Sequence, residues 1–105
     1  MSPTDIAALA NLLNVSADEI NELFTMSPML EQQSFAEIKH SLSIFAEFGI
    51  SPLDAATFIW IFPNLFILSP NELRAYLNKK KEWCEQNNID FVDRVYNEPD
   101  IFVDD

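Results

Sequence analysis

The sequence predicts an all-α fold, a compact array of about six helices built from two-helix repeats of about 35 residues. Three observations lead to this prediction. A single glycine among 105 residues argues against a sheet with tight hairpins, because such turns need residues that tolerate positive φ. Hydrophobic residues make up 49% of the chain, which is enough for one core without disulfide or metal support. The third observation is a helix-start signal that recurs along the chain.

The recurring signal is a Ser or Asp at a helix N-cap with an acidic residue three positions later, a pattern that satisfies backbone N–H groups of the first turn. Six pairs show it: Ser2 with Asp5, Ser16 with Glu19, Ser34 with Glu37, Ser51 with Asp54, Ser69 with Glu72 and Asp90 with Asp93. From Ser16 onward the starts lie 18, 17, 18 and 21 residues apart, so two helices form one unit. We therefore expect a single helical domain over residues 1–105, with a cap helix over 1–13, repeat 1 over 14–48, repeat 2 over 49–88, and a partial repeat 3 with an acidic tail over 89–105.

The first three helices are predicted over residues 3–13, from Ser16 to the residue before Pro28, and over residues 34–48. The second helix ends at Pro28 because the residue before a proline disfavours the helical region. The third helix carries apolar residues at helical spacing, namely Ile38, Leu42, Phe45 and Phe48. This pattern is typical of an amphipathic helix with one face in the core.

The junction after this helix contains the only glycine of the chain, Gly49. It lies where a left-handed helix C-cap requires glycine, and the apolar Ile50 after it is typical of a Schellman motif. The next helix, from Ser51 to Phe62, is apolar nearly all round, so we expect it to be central and covered by neighbours on several sides. After Pro63 we expect a short apolar 3-10 turn.

The last two helices are predicted over residues 69–87 and 90–97. The longer of the two is expected to point Leu73 and Leu77 inward, together with either Trp83 or Cys84. Each repeat is expected to end its first helix at a proline. These prolines, Pro28, Pro63 and Pro99, lie 35 and 36 residues apart, and each is followed two positions later by an apolar residue.

The repeat resembles that of the mitochondrial transcription termination factor (mTERF) family over about residues 14 to 103. The best-matching residues are Gly49-Ile50-Ser51 and the segment from Phe62 to Leu73, with proline-x-leucine closing the first helix of the unit. In that family the repeats stack into a curved solenoid whose concave face binds nucleic acid through basic residues. The resemblance therefore implies a helical repeat fold and a nucleic-acid-binding regulator.

The charge balance favours a different kind of partner. The chain has 17 acidic and 6 basic residues, a net charge of −11, which repels phosphate backbones and anionic membrane surfaces at long range. We expect a basic protein partner, with nucleic acid and membrane disfavoured. The single cysteine, Cys84, allows no intrachain disulfide and fits a reducing compartment, so a cytoplasmic location is expected.

No catalytic function, cofactor or metal is expected. His40 and Cys84 each occur alone, and a catalytic dyad needs a positioned third group. Asp18 and Glu19 are adjacent carboxylates, but the sequence already assigns Glu19 a capping role. No glycine-rich phosphate loop and no set of histidines with metal-ligand spacing occurs. The sequence thus predicts that the protein is not an enzyme.

Three candidate surfaces remain. The first is the acidic C-terminal stretch, which would steer a basic partner and hold it with an apolar anchor that includes Val103. Its candidate partner-binding residues are Asp90, Asp93, Glu98, Asp100, Ile101, Phe102, Asp104 and Asp105. The second is a basic cluster that would contact nucleic acid, formed by Arg74, Lys79, Lys80 and Lys81. The third is an aromatic group that is either core or an exposed platform, formed by Trp60, Phe62 and Phe66.

Together these observations predict a non-catalytic acidic interaction module that binds or inhibits a basic protein, which could itself bind nucleic acid. The alternatives are an mTERF-like nucleic-acid-binding regulator and a structural subunit that self-associates.

Overall fold

The computed structural model describes residues 1–102, apart from the side chain of Pro99. This part of the chain contains helices and no strand, so the all-α prediction is confirmed. The α-helices are α1 (Pro3–Leu13), α2 (Ala17–Met26), α3 (Pro28–Glu31), α4 (Phe35–Glu47), α5 (Pro52–Ile61), α6 (Pro70–Gln86) and α7 (Phe91–Asn97). Two 3-10 helices follow α5 and α7, at Pro63–Phe66 and Pro99–Phe102.

All six predicted helix starts are confirmed. At each one the N-cap side chain accepts a hydrogen bond from the backbone N–H three residues later. At Ser34 and Ser69 the acidic side chain three positions on also accepts from the N-cap N–H, which closes a capping box. The single-turn helix α3 was not predicted as a separate element, and its N-cap makes no side-chain hydrogen bond.

Three helix junctions share one backbone conformation. Asn14, Gly49 and Asn88 all lie in the left-handed region, with φ of 59°, 86° and 58°. In each junction the next residue donates its N–H to a carbonyl five positions earlier, as in a Schellman motif. These bonds join Val15 to Ala10 (2.9 Å), Ile50 to Phe45 (3.1 Å) and Ile89 to Cys84 (2.8 Å). The predicted role of Gly49 is confirmed, and two asparagines fill the same role.

Three helix ends before a proline also share one conformation. Ser27, Phe62 and Glu98 have φ of −133°, −130° and −141° and ψ of 76°, 62° and 75°. A single helical turn follows each proline, and the apolar residue two positions after the proline is buried: Leu30, Leu65 and Ile101. The same order of conformations thus occurs three times. Descent from an ancestral repeat stays a prediction.

The centre of the core is α4, because it contacts α1, α5 and α6. Its Phe45 is fully buried and packs against three other aromatic rings, those of Phe58, Phe66 and Phe102, at centroid distances of 6.1, 5.6 and 6.3 Å. The prediction that the Ser51–Phe62 helix is the central one is therefore wrong. That helix, α5, lies at the side of the core, and one of its faces is open to solvent.

Two polar contacts tie distant helices together. Arg74 of α6 donates two hydrogen bonds to Glu47 of α4, from Nε to Oε1 at 3.1 Å and from Nη2 to Oε2 at 2.9 Å. The hydroxyl of Tyr96 on α7 donates to Asp54 Oδ2 of α5 at 2.8 Å. This hydrogen bond holds the start of α5 against α7. Hydrogen bonds from Ser51 and Tyr96 also lower the pKa of Asp54.

Candidate protein-interaction surfaces

The outer face of α5 is the main exposed apolar feature of the described residues. We define it as Leu53, Thr57, Trp60 and Ile61, which lie at positions i, i+4, i+7 and i+8 and so share one side of the helix. Leu53 is 73% exposed, Ile61 is 58% exposed, and Trp60 is half-buried. A helix that is apolar all round is normally covered on all sides, so this face lacks the cover that its composition predicts.

The opposite side of α5 explains why the outer face points outward. Ala55, Phe58 and Ile59 are buried in the core, so the helix has already placed one apolar face against α4. The rotation of the helix is set at both ends, by the Schellman junction at Gly49 and by the break at Phe62 before a proline. With its inner side held against α4, the helix leaves Leu53 and Ile61 exposed on the outer face.

An apolar groove runs beside this face. It has a volume of about 380 Å³ and is lined by Leu13, Val15 and Glu19 on one side and by Leu53, Thr57 and Trp60 on the other. We call it the α5 groove. Because its walls come from α5 and from the α1–α2 junction, the groove depends on the packing of the first two helices beside the fifth. No pattern in the sequence indicated this groove.

Glu19 is the charged residue of the α5 groove, and its carboxylate makes no hydrogen bond or ion pair within the described part of the chain. Its backbone N–H donates to Ser16 Oγ at 3.2 Å, but its side chain does not return a bond to the N-cap. In the equivalent positions, the carboxylates of Glu37 and Glu72 accept from the N-cap N–H at 3.0 Å. The predicted capping role of the Glu19 side chain is therefore wrong, and this carboxylate remains available to a ligand.

Two further depressions continue the exposed apolar surface around Pro63 and Asn64. One, of about 210 Å³, is lined on its other side by Met26 and Met29, which are 68% and 61% exposed. The other, of about 450 Å³, is bordered by Ile61 of the outer face. Both contain Pro63 and Asn64, so they adjoin each other. Exposed methionines are typical of adaptable binding surfaces.

The aromatic group predicted as either core or platform is divided between the two. Phe66 is buried and stacks on Phe45, so it belongs to the core. Trp60 and Phe62 are half-buried, and both line depressions at the surface.

The predicted acidic site at the C-terminus is largely used within the protein. Asp90 caps α7 by accepting from Asp93 N at 3.0 Å. Glu98 and Asp100 both pair with Arg94, the latter at 3.2 Å. Asp93 is exposed. The remaining predicted members of this surface, Asp104 and Asp105, lie outside the described residues, as does Val103.

The prediction that Ile101 and Phe102 form an exposed apolar anchor of that site is wrong. Ile101 and Phe102 are buried, and the Phe102 ring packs against Phe58, Phe62 and Tyr76. The Tyr76 hydroxyl also donates to the Phe102 carbonyl at 2.9 Å. This segment therefore belongs to the core, because the aromatic rings of α5 and α6 leave a site that a phenylalanine fills. In this conformation it offers no apolar contact to a partner.

The predicted basic cluster does not form one patch. Arg74 is held by Glu47, and this hydrogen bond lowers the pKa of Glu47 and raises that of Arg74. Lys80 lies over the Tyr76 ring, with Nζ at 5.4 Å from the centroid. Lys79, Lys80 and Lys81 are consecutive on α6 and so point to three different directions, about 100° apart. A surface for duplex phosphates would need cations in register on one face.

The residues considered for catalysis are separated. His40 is exposed on α4, and Cys84 is buried on α6, where burial raises the pKa of its thiol. Among the described residues no group of three or more His, Cys, Asp or Glu side chains is arranged to hold a metal ion.

No helix within residues 1–102 is by itself long and apolar enough to cross a membrane. The helices α4 and α5 meet the length and composition of a span only as a pair, and that pair is bent by 118°.

Comparison with known proteins yields no relative: no protein-family model, no curated protein and no solved structure matches this chain. The resemblance to mTERF repeats therefore stays a prediction.

Proposed function

We propose that this chain is a non-catalytic acidic interaction domain that binds a basic protein and thereby inhibits it. The observation that carries the proposal is the outer face of α5, an exposed apolar surface on a chain with a net charge of −11. Exposed apolar patches on small domains usually mark interfaces, and the surrounding negative charge selects for a cationic partner. Repeat-type packing with an mTERF-like origin is part of the same proposal.

Within residues 1–102, few of the carboxylates are neutralised by the protein itself. The ion pairs of this region join Arg74 to Glu47, and Arg94 to both Glu98 and Asp100. Lys39, Lys79 and Lys81 are exposed, but they are too few to offset the net charge of −11, so the surface field stays negative. Such a field raises the association rate with a basic protein and makes the rate depend on salt.

A binding assay with defined probes tests the proposal. A fluorescent peptide of about 20 residues rich in Lys and Arg, a matched peptide rich in Glu, and a duplex DNA are titrated with the protein at several salt concentrations. We expect the basic peptide to bind and its affinity to fall as salt rises, whereas the acidic peptide does not bind. Absence of binding to the basic peptide at low salt contradicts the proposal.

Binding to the duplex DNA in place of the basic peptide, with a steep negative salt slope, would instead support the nucleic-acid-binding alternative. Sedimentation of the protein alone over a range of concentrations addresses the remaining alternative, a subunit that self-associates.

A further inference from the structure

We propose that the α5 groove together with the outer face of α5 is the docking site for a cationic amphipathic helix of the partner protein. This inference rests on the proposed function, since it names the surface and the kind of segment that a basic partner would present. The apolar side of the partner helix lies along Leu53, Trp60 and Ile61, and its basic side faces Glu19.

The shape of the surface fits a helix. The outer face extends from Leu53 to Ile61, about 12 Å along the axis at 1.5 Å per residue. A helix that binds in such a groove uses apolar residues at i, i+3, i+4 and i+7, which span a similar length. The groove on one side of α5, with a volume of about 380 Å³, has room for apolar side chains of the partner helix. The depressions beside Pro63 extend the contact at the far end of the outer face.

The charges near the site select a cation. Residues 1–38, which include both helices that flank the groove on the α1–α2 side, contain six acidic side chains and no Lys, Arg or His. Glu19 lines the groove with an unpaired carboxylate, so a Lys or Arg placed there gains an ion pair without breaking one.

The same charges disfavour a second copy of this chain as the occupant. Two copies each carry a net charge of −11, and the face of each copy would bring another Glu19 toward the first. The remaining apolar neighbours, Met26 and Met29, are flexible side chains that adapt to different partner sequences. The occupant that satisfies both the apolar face and the carboxylate is therefore a basic amphipathic helix.

Trp60 provides a direct probe of this site. The other tryptophan, Trp83, is exposed on α6, a helix that packs against α4 and α7. In a Trp83→Phe variant Trp60 is the sole tryptophan, so its emission reports on the α5 groove alone. This variant is also the matched control for removal of an exposed aromatic residue elsewhere, and its affinity for the peptide should equal that of the unmodified chain.

The experiment compares two peptides of about 18 residues with identical Leu and Lys content. In one the leucines form a helical stripe; in the other the order is scrambled so that no stripe exists. We expect the striped peptide to shift Trp60 emission to shorter wavelength, to protect it from acrylamide, and to bind at least about tenfold more tightly than the scrambled one.

Variants at the surface then locate the site. The double variant Leu53→Gln, Ile61→Gln should weaken binding of the striped peptide by about tenfold or more, while its circular dichroism and Tm match the parent because both side chains are exposed. The variant Glu19→Gln should weaken binding about two- to fivefold and reduce its salt dependence.

The outcomes separate the two proposals. If both peptides bind equally and Trp60 emission does not change, the docking site is wrong while the acidic interaction domain stands. If neither peptide binds at low salt, both are wrong. If the protein alone forms a dimer that the Leu53→Gln, Ile61→Gln variant dissociates, a second copy occupies the face and the helix-docking proposal is overturned.

Discussion

The two sides of α5 are both apolar, yet they meet different surroundings. The inner side, with Ala55, Phe58 and Ile59, is buried against the core. The outer side, with Leu53 and Ile61, is exposed. Composition alone does not distinguish the two sides, because each carries large aliphatic or aromatic residues. An apolar helix face therefore indicates a contact surface. Only the fold shows whether the surface that it contacts belongs to the same chain.

The largest expected effect contrasts the two sides directly. Replacement of the buried Ile59 by Ala should lower the free energy of unfolding by about 2–5 kcal/mol, since it removes core contacts and leaves a cavity. The same change at Ile61 should stay within about 0.5 kcal/mol, because that side chain is exposed. Urea denaturation of both variants measures the difference. Equal losses at the two positions would mean that the outer face is covered in the folded protein.

A smaller effect is expected at the junction that sets the rotation of α5. Gly49 has φ of 86°, and a Cβ added there would lie 3.0 Å from Val92 Cγ2. Both Gly49→Ala and Gly49→Asn add that Cβ, but asparagine tolerates the left-handed region, as Asn14 and Asn88 show. We expect the alanine variant to be less stable than the asparagine variant by about 1 kcal/mol.

Thermal denaturation of the two Gly49 variants tests this expectation. If they are equally destabilised, the contact of the added Cβ with Val92 dominates the loss of stability, and the positive φ contributes little to it.

Acid should weaken the contact that holds the start of α5 on α7. Hydrogen bonds from Ser51 and Tyr96 lower the pKa of Asp54 below the ordinary value of an aspartate. A lowered carboxyl pKa adds stability that is complete above the unfolded-state pKa and is lost as pH falls through the folded-state pKa.

Removal of the Tyr96 hydroxyl, in Tyr96→Phe, should lower the Tm at neutral pH. The difference in Tm between the parent chain and this variant should narrow as the pH falls through the folded-state pKa of Asp54. A difference that is independent of pH would show that the hydroxyl acts through Ser51 N, its other partner at 3.4 Å, and not through the Asp54 carboxylate.

The smallest effect separates a carboxylate that caps a helix from one that is free. Glu72 accepts from Ser69 N at 3.0 Å, and this hydrogen bond lowers its pKa, so Glu72→Ala should lower the Tm measurably. Glu19→Ala should leave the Tm within about 2 °C, because the Glu19 side chain makes no bond in the described structure. A clear loss of Tm at Glu19 would indicate a structural role for its carboxylate and weaken its assignment to a partner.

Sequence patterns predicted the helix starts and the Gly49 junction because both depend on neighbours within a few positions. A serine hydroxyl or an aspartate carboxylate at the N-cap reaches the N–H three residues later whatever the rest of the chain does. The six starts, five at serines and one at Asp90, were confirmed on that basis. The same patterns failed for Ile101 and Phe102, which were expected at the surface and lie in the core. A short apolar segment near the end of the chain carries no periodicity that would show what it packs against.

The candidate site could not be predicted from the sequence for a similar reason. The α5 groove combines residues of the α1–α2 junction with residues of α5 about forty positions later. No local sequence pattern indicates that these two segments lie side by side. Of the predicted sites, the acidic stretch was found largely in internal contacts, and the basic cluster was found divided among separate directions. No sequence pattern marked Leu53 or Thr57 as part of a surface site. An exposed leucine cannot be distinguished in sequence from a core leucine.

Local chemistry in the chain was sufficient to establish that it is helical, where its helices begin, and that the same order of turns recurs. The packing of helices decided the rest, namely that α4 and not α5 is central, that Phe102 completes the aromatic core, and that one apolar side of α5 faces solvent beside Glu19. The physical reason is that hydrogen bonds of caps and turns are satisfied within a few residues, whereas burial depends on which distant surfaces remain to cover an apolar face.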